Sequence, residues 1–81
     1  TLYVADTNNH RVMSYSPTNS FGTLVAGGTG NGVNTTQLNA PMSVTFDRLS
    51  NSLLIANFRS HNVVRWTLGA NVWTSVAGDA Q

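Results

Sequence analysis

Short apolar runs separated by clusters of Asp, Asn, Ser, Gly and Pro mark this chain along its whole length, and the runs suit strands rather than helices. Residues 2–5 (LYVA) and 12–15 (VMSY) are rich in strand formers, and Asp6, Thr7, Asn8, Asn9 and His10 make a polar turn cluster between them. Short Asp and Asn side chains bond nearby backbone amides and tolerate left-handed backbone angles, so the stretch predicts a β-hairpin with Asp6 accepting amides in its turn. After the turn signal Ser16-Pro17-Thr18-Asn19-Ser20, residues 21–26 predict a third strand ending at Gly27. Residues 27–40 (GGTGNGVNTTQLNA) form the longest polar stretch and predict a flexible connection. Met42-Ser43-Val44-Thr45-Phe46 then alternates apolar and polar, as a strand does.

The hairpin returns without a gap. A shift of 51 positions lays Leu2 on Leu53, Ala5 on Ala56, His10 on His61, Val12 on Val63, Thr23 on Thr74, and Val25-Ala26-Gly27 on Val76-Ala77-Gly78. A period of about 50 residues in an all-strand sequence marks repeated four-stranded units. Each unit reads as a strand at 42–46, a hairpin, and a strand ending in Val-Ala-Gly. Both faces of these strands carry apolar residues, as in Leu53-Leu54-Ile55-Ala56. Such strands fit sheets covered on both sides, so the predicted architecture is all-β, with almost no helix, in the form of β-propeller blades.

On this reading residues 1–30 are the last three strands of one blade, without its innermost strand, and residues 31–81 are one complete blade. A closed propeller needs at least about four blades. The expected partners are therefore the remaining blades, from a longer chain or from other copies. An isolated pair leaves both outer apolar faces in water and the edge at residues 2–6 unpaired.

The segment Leu2-Tyr3-Val4-Ala5-Asp6-Thr7-Asn8-Asn9-His10-Arg11-Val12 resembles the core of NHL repeats. Val25-Ala26-Gly27 is similar to the strand that ends such repeats, and Ala40-Pro41-Met42-Ser43-Val44 to the start of the next one. The second copy departs from the pattern, with Asn57 in place of Asp and Phe58-Arg59-Ser60 in place of Thr-Asn-Asn. The resemblance implies a propeller, commonly of about six blades, used mainly to bind proteins, RNA or other ligands. One branch of similar propellers holds a zinc-dependent peptidyl-hydroxyglycine lyase. A kelch-type repeat has a comparable period, but Gly27-Gly28 becomes Gly78-Asp79 here, against its recurring glycine pair.

Composition narrows the functions. Net charge is +1 with 9% charged residues, and the four cations, Arg11, Arg48, Arg59 and Arg65, lie in three separate segments. No basic stripe forms, so nucleic acid is not an expected partner. No apolar run approaches the length of a membrane span, and the chain opens directly on a strand, so no leader is expected. Absence of cysteine excludes disulfides and thiolate metal sites. Asn34-Thr35-Thr36 is a glycosylation sequon, usable only in a secreted chain, and it points to an extracellular location with Asn34 as the acceptor.

His10 and His61 occupy the same position in two units and are the metal candidates, yet no neighbouring residues complete the three protein ligands usual for catalytic zinc. The favoured role is capping or packing at the hairpin tip. Asp6 and Asp47 fall at opposite ends of the unit, which separates them too far for acid/base work. The glycine-rich stretch lacks the lysine and following helix of a phosphate-binding loop. No nucleophile elbow is present, and neither catalytic residues nor a cofactor is expected. Tyr15 and Trp66 align as a packing position, whereas Trp73 falls on Gly22, breaks the repeat and is expected to be partly exposed.

In an up-and-down blade, the loop entering the first strand and the hairpin between the second and third open at the same end. Residues 28–39 should then share a face with the tips at 7–10 and 58–61. That face is the expected binding surface, with Asn8, Asn9, Asn31, Phe58 and Arg59 as its contact candidates. The leading expectation is a non-catalytic scaffold for a protein, peptide or glycan. The alternatives are a metal-dependent propeller enzyme whose ligands come from other blades, and an oligomer that joins blade edges into rings or filaments.

Overall fold

The computed structural model describes residues 1–18, 21–30, 32 and 34–78. They form seven strands: β1 (Leu2–Asp6), β2 (Arg11–Tyr15), β3 (Thr23–Gly27), β4 (Pro41–Asp47), β5 (Ser52–Asn57), β6 (Asn62–Thr67) and β7 (Thr74–Gly78). The helical content among these residues is a single 3₁₀ turn, Thr7–Asn9, at the tip of the first hairpin. Strands β1-β2-β3 make one antiparallel sheet and β4-β5-β6-β7 a second, each in sequence order. The third strand starts two residues later than the sequence pattern indicates, leaving Phe21 and Gly22 ahead of it.

The repeat is obeyed residue by residue. The bulge between β2 and β3 falls at Val12/Met13, and that between β6 and β7 at Val63/Val64. His10 and His61 take nearly the same left-handed angle, φ 53° and 55°. In each tip the histidine N–H donates to the carbonyl three residues back, Thr7 or Phe58. The hairpin geometry therefore survives replacement of Thr-Asn-Asn by Phe-Arg-Ser. Gly27 and Gly78 end the last strand of each sheet at φ 73° and 88°, where a Cβ would run into the carbonyl oxygen of His10 or His61. Glycine at those two positions is a geometric requirement.

Side chains directly opposite across a ladder share a face. In the first sheet, Ala5, Val12 and Ala26 lie in cross-strand register on one face, and Leu2, Val4, Met13, Tyr15 and Leu24 on the other. In the second, Leu53, Ile55, Val64 and Trp66 share a face, and Leu54, Ala56, Val63 and Ala77 the reverse one. The core forms where Val12 and Ala26 meet Leu53, Ile55, Val64 and Trp66, with Leu38 and Trp73 added from the connections. Tyr3 and Phe46 stack at its edge, with ring centroids 5.6 Å apart. The two sheets thus meet by unlike faces: Ala5, Val12 and Ala26 correspond, 51 positions on, to Ala56, Val63 and Ala77, which lie on the outside of the second sheet.

Trp73 corrects the expectation of partial exposure. It is buried, its indole Nε1–H donates to the Gln37 carbonyl at 2.7 Å, and its backbone N–H donates to the Thr35 carbonyl at 2.9 Å. Trp73, which stands where the first unit has Gly22, thus anchors the linker that leads into β4.

Candidate functional site

The linker residues 39–41 pass between the two hairpin tips at one end of the sandwich, where the alternation of strands placed them. On one side, the Ala40 N–H donates to His10 Nδ1 at 2.9 Å and the Thr7 hydroxyl donates to the Pro41 carbonyl at 2.7 Å. On the other, the Phe58 and Arg59 N–H groups donate to the Ala40 and Asn39 carbonyls at 3.0 and 3.2 Å. Asn39 donates its own N–H to Asn57 Oδ1 and its side-chain amide to Ser60 Oγ, at 3.2 and 3.1 Å. Leu38, one residue upstream, is fully buried. The linker is a crosspiece that ties the two tips together.

Beneath the second tip lies a buried polar group: Asn57, Ser60 and Asn62, with Asn39 reaching in. Both polar atoms of the Asn62 amide and the Asn39 Oδ1 are buried and have no hydrogen-bond partner among the described residues. Asn57 and Asn62 pair in register and correspond to Asp6 and Arg11 in the first unit. There the pair is ionic and partly exposed, with Arg11 Nε 2.8 Å from Asp6 Oδ2. Burying an ion pair costs more in desolvation than burying neutral amides does, and the amides stand on the covered face.

The candidate contact residues divide by setting. Phe58 is 63% exposed and Arg59 is exposed beside it, with no ion pair to Arg59 among the described residues. Asn8 and Asn9 are also exposed, but the Asn9 amide donates to both Asp6 carboxylate oxygens, at 3.1 and 3.0 Å. Asn31 lies outside the described residues. Asn34, the candidate glycosylation acceptor, is exposed. His10 is half-buried and committed at Nδ1 to Ala40, which is a structural use of the ring. His61 is exposed, and its ring makes no hydrogen bond among the described residues. No group of three or more His, Cys, Asp or Glu that could hold a metal occurs among those residues.

An open groove of about 380 Å³ runs along the outer face of the second sheet up to its tip, lined by Met42, Ala56, Phe58, His61, Val63 and Ala77 among others. It is mostly apolar and contains no carboxylate or guanidinium. The sequence pattern anticipates an uncovered apolar outer face here; the residues of the same type in the first unit are covered.

Both paired aspartates are held below the ordinary carboxylate pKa. For Asp6 the main cause is the Arg11 hydrogen bond, followed by that of Asn9. For Asp47 it is the Ser50 hydroxyl, followed by the Arg65 guanidinium at 3.0 Å. Asp6 serves side chains rather than the turn amides expected of it, and Asp47, the last residue of β4, also accepts from the Leu49 N–H. No helix among the described residues is long and apolar enough to cross a membrane. Comparison with family models, with curated proteins and with solved structures returned no match to this chain.

Proposed function

We propose that the chain is two consecutive units of an NHL-type β-propeller acting as a non-catalytic recognition scaffold, which meets a protein, peptide or glycan at the hairpin-tip end. The observation that carries this reading is Phe58-Arg59: an exposed aromatic and an exposed cation on a tip whose backbone amides are pinned to the linker carbonyls. A braced aromatic loses little freedom on binding, and aromatic and Arg anchors contribute disproportionately to interfaces. The residue-by-residue repeat and the apolar outer faces support the propeller part of the reading. Exposed Asn34 supports a secreted, glycosylated form.

The test is a screen of the chain on glycan and peptide arrays, followed by affinity measurement for the best binders with Phe58→Ala and Arg59→Ala. Each change should weaken binding at least about tenfold, a hot-spot-sized effect, while the circular dichroism spectrum stays the same. Unchanged affinity removes the second tip from the binding site.

A further inference from the structure

The polar group at the first tip closes on itself, and the one at the second tip does not. In the first unit the Asp6 carboxylate accepts from Arg11 Nε and from the Asn9 amide, so the three side chains satisfy one another. The aligned residues of the second unit are Asn57, Ser60 and Asn62, and all three are buried. Asn39 supplies two bonds to this group, from its N–H to Asn57 Oδ1 and from its amide to Ser60 Oγ. Three buried atoms then stay without a partner among the described residues: Asn39 Oδ1, Asn62 Oδ1 and Asn62 Nδ2. Unpaired buried amides are costly, and nearly all buried polar atoms in folded proteins are bonded to protein or to ordered water.

We propose that Asn39 and Asn62 form a binding site for ordered water, and that the bound water joins the linker to the second tip. It adds a bridge to the direct bonds from Asn39 to Asn57 and Ser60. The inference concerns the chain as it stands and rests neither on a ligand at the tips nor on further units.

The atoms themselves select this occupant. Asn62, only 5% exposed, needs an acceptor at one end of its amide and a donor at the other. Interchanging its oxygen and nitrogen leaves that demand unchanged, so the argument does not depend on how the amide is oriented. A metal cation cannot accept from the N–H group and an anion cannot donate to the carbonyl, whereas water does both. The two ends of one amide point apart, so one water cannot serve both at good angles, and the site takes about two molecules.

Placement and space agree with this. Asn39 is bonded to the two residues nearest Asn62 in the hairpin, namely Asn57, its register partner, and Ser60, two positions before it. The unpaired atoms therefore gather at one end of the second sheet. Asn62 also stands where the first unit has Arg11, a much longer side chain, which leaves room beside the shorter one. Buried waters typically make about three hydrogen bonds to polar groups of this kind.

The test is oxygen-17 magnetic relaxation dispersion, which counts waters held longer than the chain takes to tumble, on the 81-residue chain and on Asn62→Leu. Leucine matches asparagine in size and offers no hydrogen bond, so the count should fall by about two. A count that does not change overturns the proposal. A second measurement needs no variant and covers the case in which Asn62→Leu fails to fold. In the ¹⁵N-labelled chain, the Asn62 side-chain amide should show cross-peaks to water of opposite sign in laboratory-frame and rotating-frame experiments, the mark of a long-held water rather than of proton exchange. Their absence overturns the proposal. Stabilisation by sodium or calcium chloride that choline chloride at equal ionic strength does not give, abolished by Asn62→Leu, assigns the site to a cation and overturns it as well.

Discussion

The two hairpins share a backbone and differ in what they touch. His10 and His61 have the same left-handed angle and the same turn hydrogen bond, but only His10 receives the linker amide. Leu2 and Leu53 occupy the same register position, yet the first is 63% exposed and the second 0%. The sequence of each pair is nearly equal, so the difference comes from the neighbour: the second sheet and the linker lie on one face of the first unit, and the first sheet lies on the opposite face of the second. The residues have adapted to this. Where the end of that face is open, an Asp6–Arg11 ion pair stands, and where it is covered, Asn57 and Asn62 replace it.

The largest test of this asymmetry is truncation of the aligned leucines. Leu53→Ala should destabilise the chain by about 2–5 kcal/mol, the range for a fully buried leucine, and Leu2→Ala by no more than about 0.5 kcal/mol, both read from urea unfolding. Equal losses would mean that the outer face of the first sheet is covered in solution. A smaller contrast is expected at the tips. His10→Ala leaves the Ala40 N–H without its partner, at about 1–3 kcal/mol for an unsatisfied polar group, and His61→Ala has no such bond to lose. The cost of placing alanine in a left-handed conformation is common to both variants and cancels in the difference. Denaturant midpoints that coincide would show that the linker contact contributes nothing.

The smallest effect is that of acid. Asp6 and Asp47 titrate below their ordinary value in the folded chain, so the unfolded chain binds protons first as the pH falls. Their contribution is fully present above about pH 5 and is lost as the pH drops past the unfolded value of about 4 toward the lower folded values. Both groups are partly exposed and the interaction is screened, so the shift should be slight and should shrink in salt. Unfolding midpoints measured between pH 5 and pH 3 should fall less in the Asp6→Asn, Asp47→Asn double variant. An equal fall in both proteins would move the acid sensitivity elsewhere.

Much of this organisation is legible in the residues. Alternating apolar runs, turn clusters and the 51-residue offset mark the strands, the hairpins and the end of the molecule where linker and tips meet. For His10 the pattern offered capping or packing at the hairpin tip, and its bond from the Ala40 N–H, which ties the tip to the linker, depends on where the linker crosses. Three features were not readable. Trp73 interrupts the repeat and looked exposed, and its anchoring of Thr35 and Gln37 depends on a fold-back of the linker. Leu38 sits in a polar stretch with no periodicity, and its full burial follows from where the linker crosses. The Asp6 carboxylate was expected to hold turn amides, but it accepts from the side chains of Asn9 in the turn and of Arg11 across the hairpin.

What the chain alone determined is local: period-two patterning, turn chemistry and left-handed positions act over a few residues, so two similar segments fold to the same hairpin. Which of two equally apolar faces is buried is a property of the neighbour, and only the tertiary structure decided it. Side chains of one type at one register position therefore became core in one unit and surface in the other. The open groove beside His61 exists for that reason.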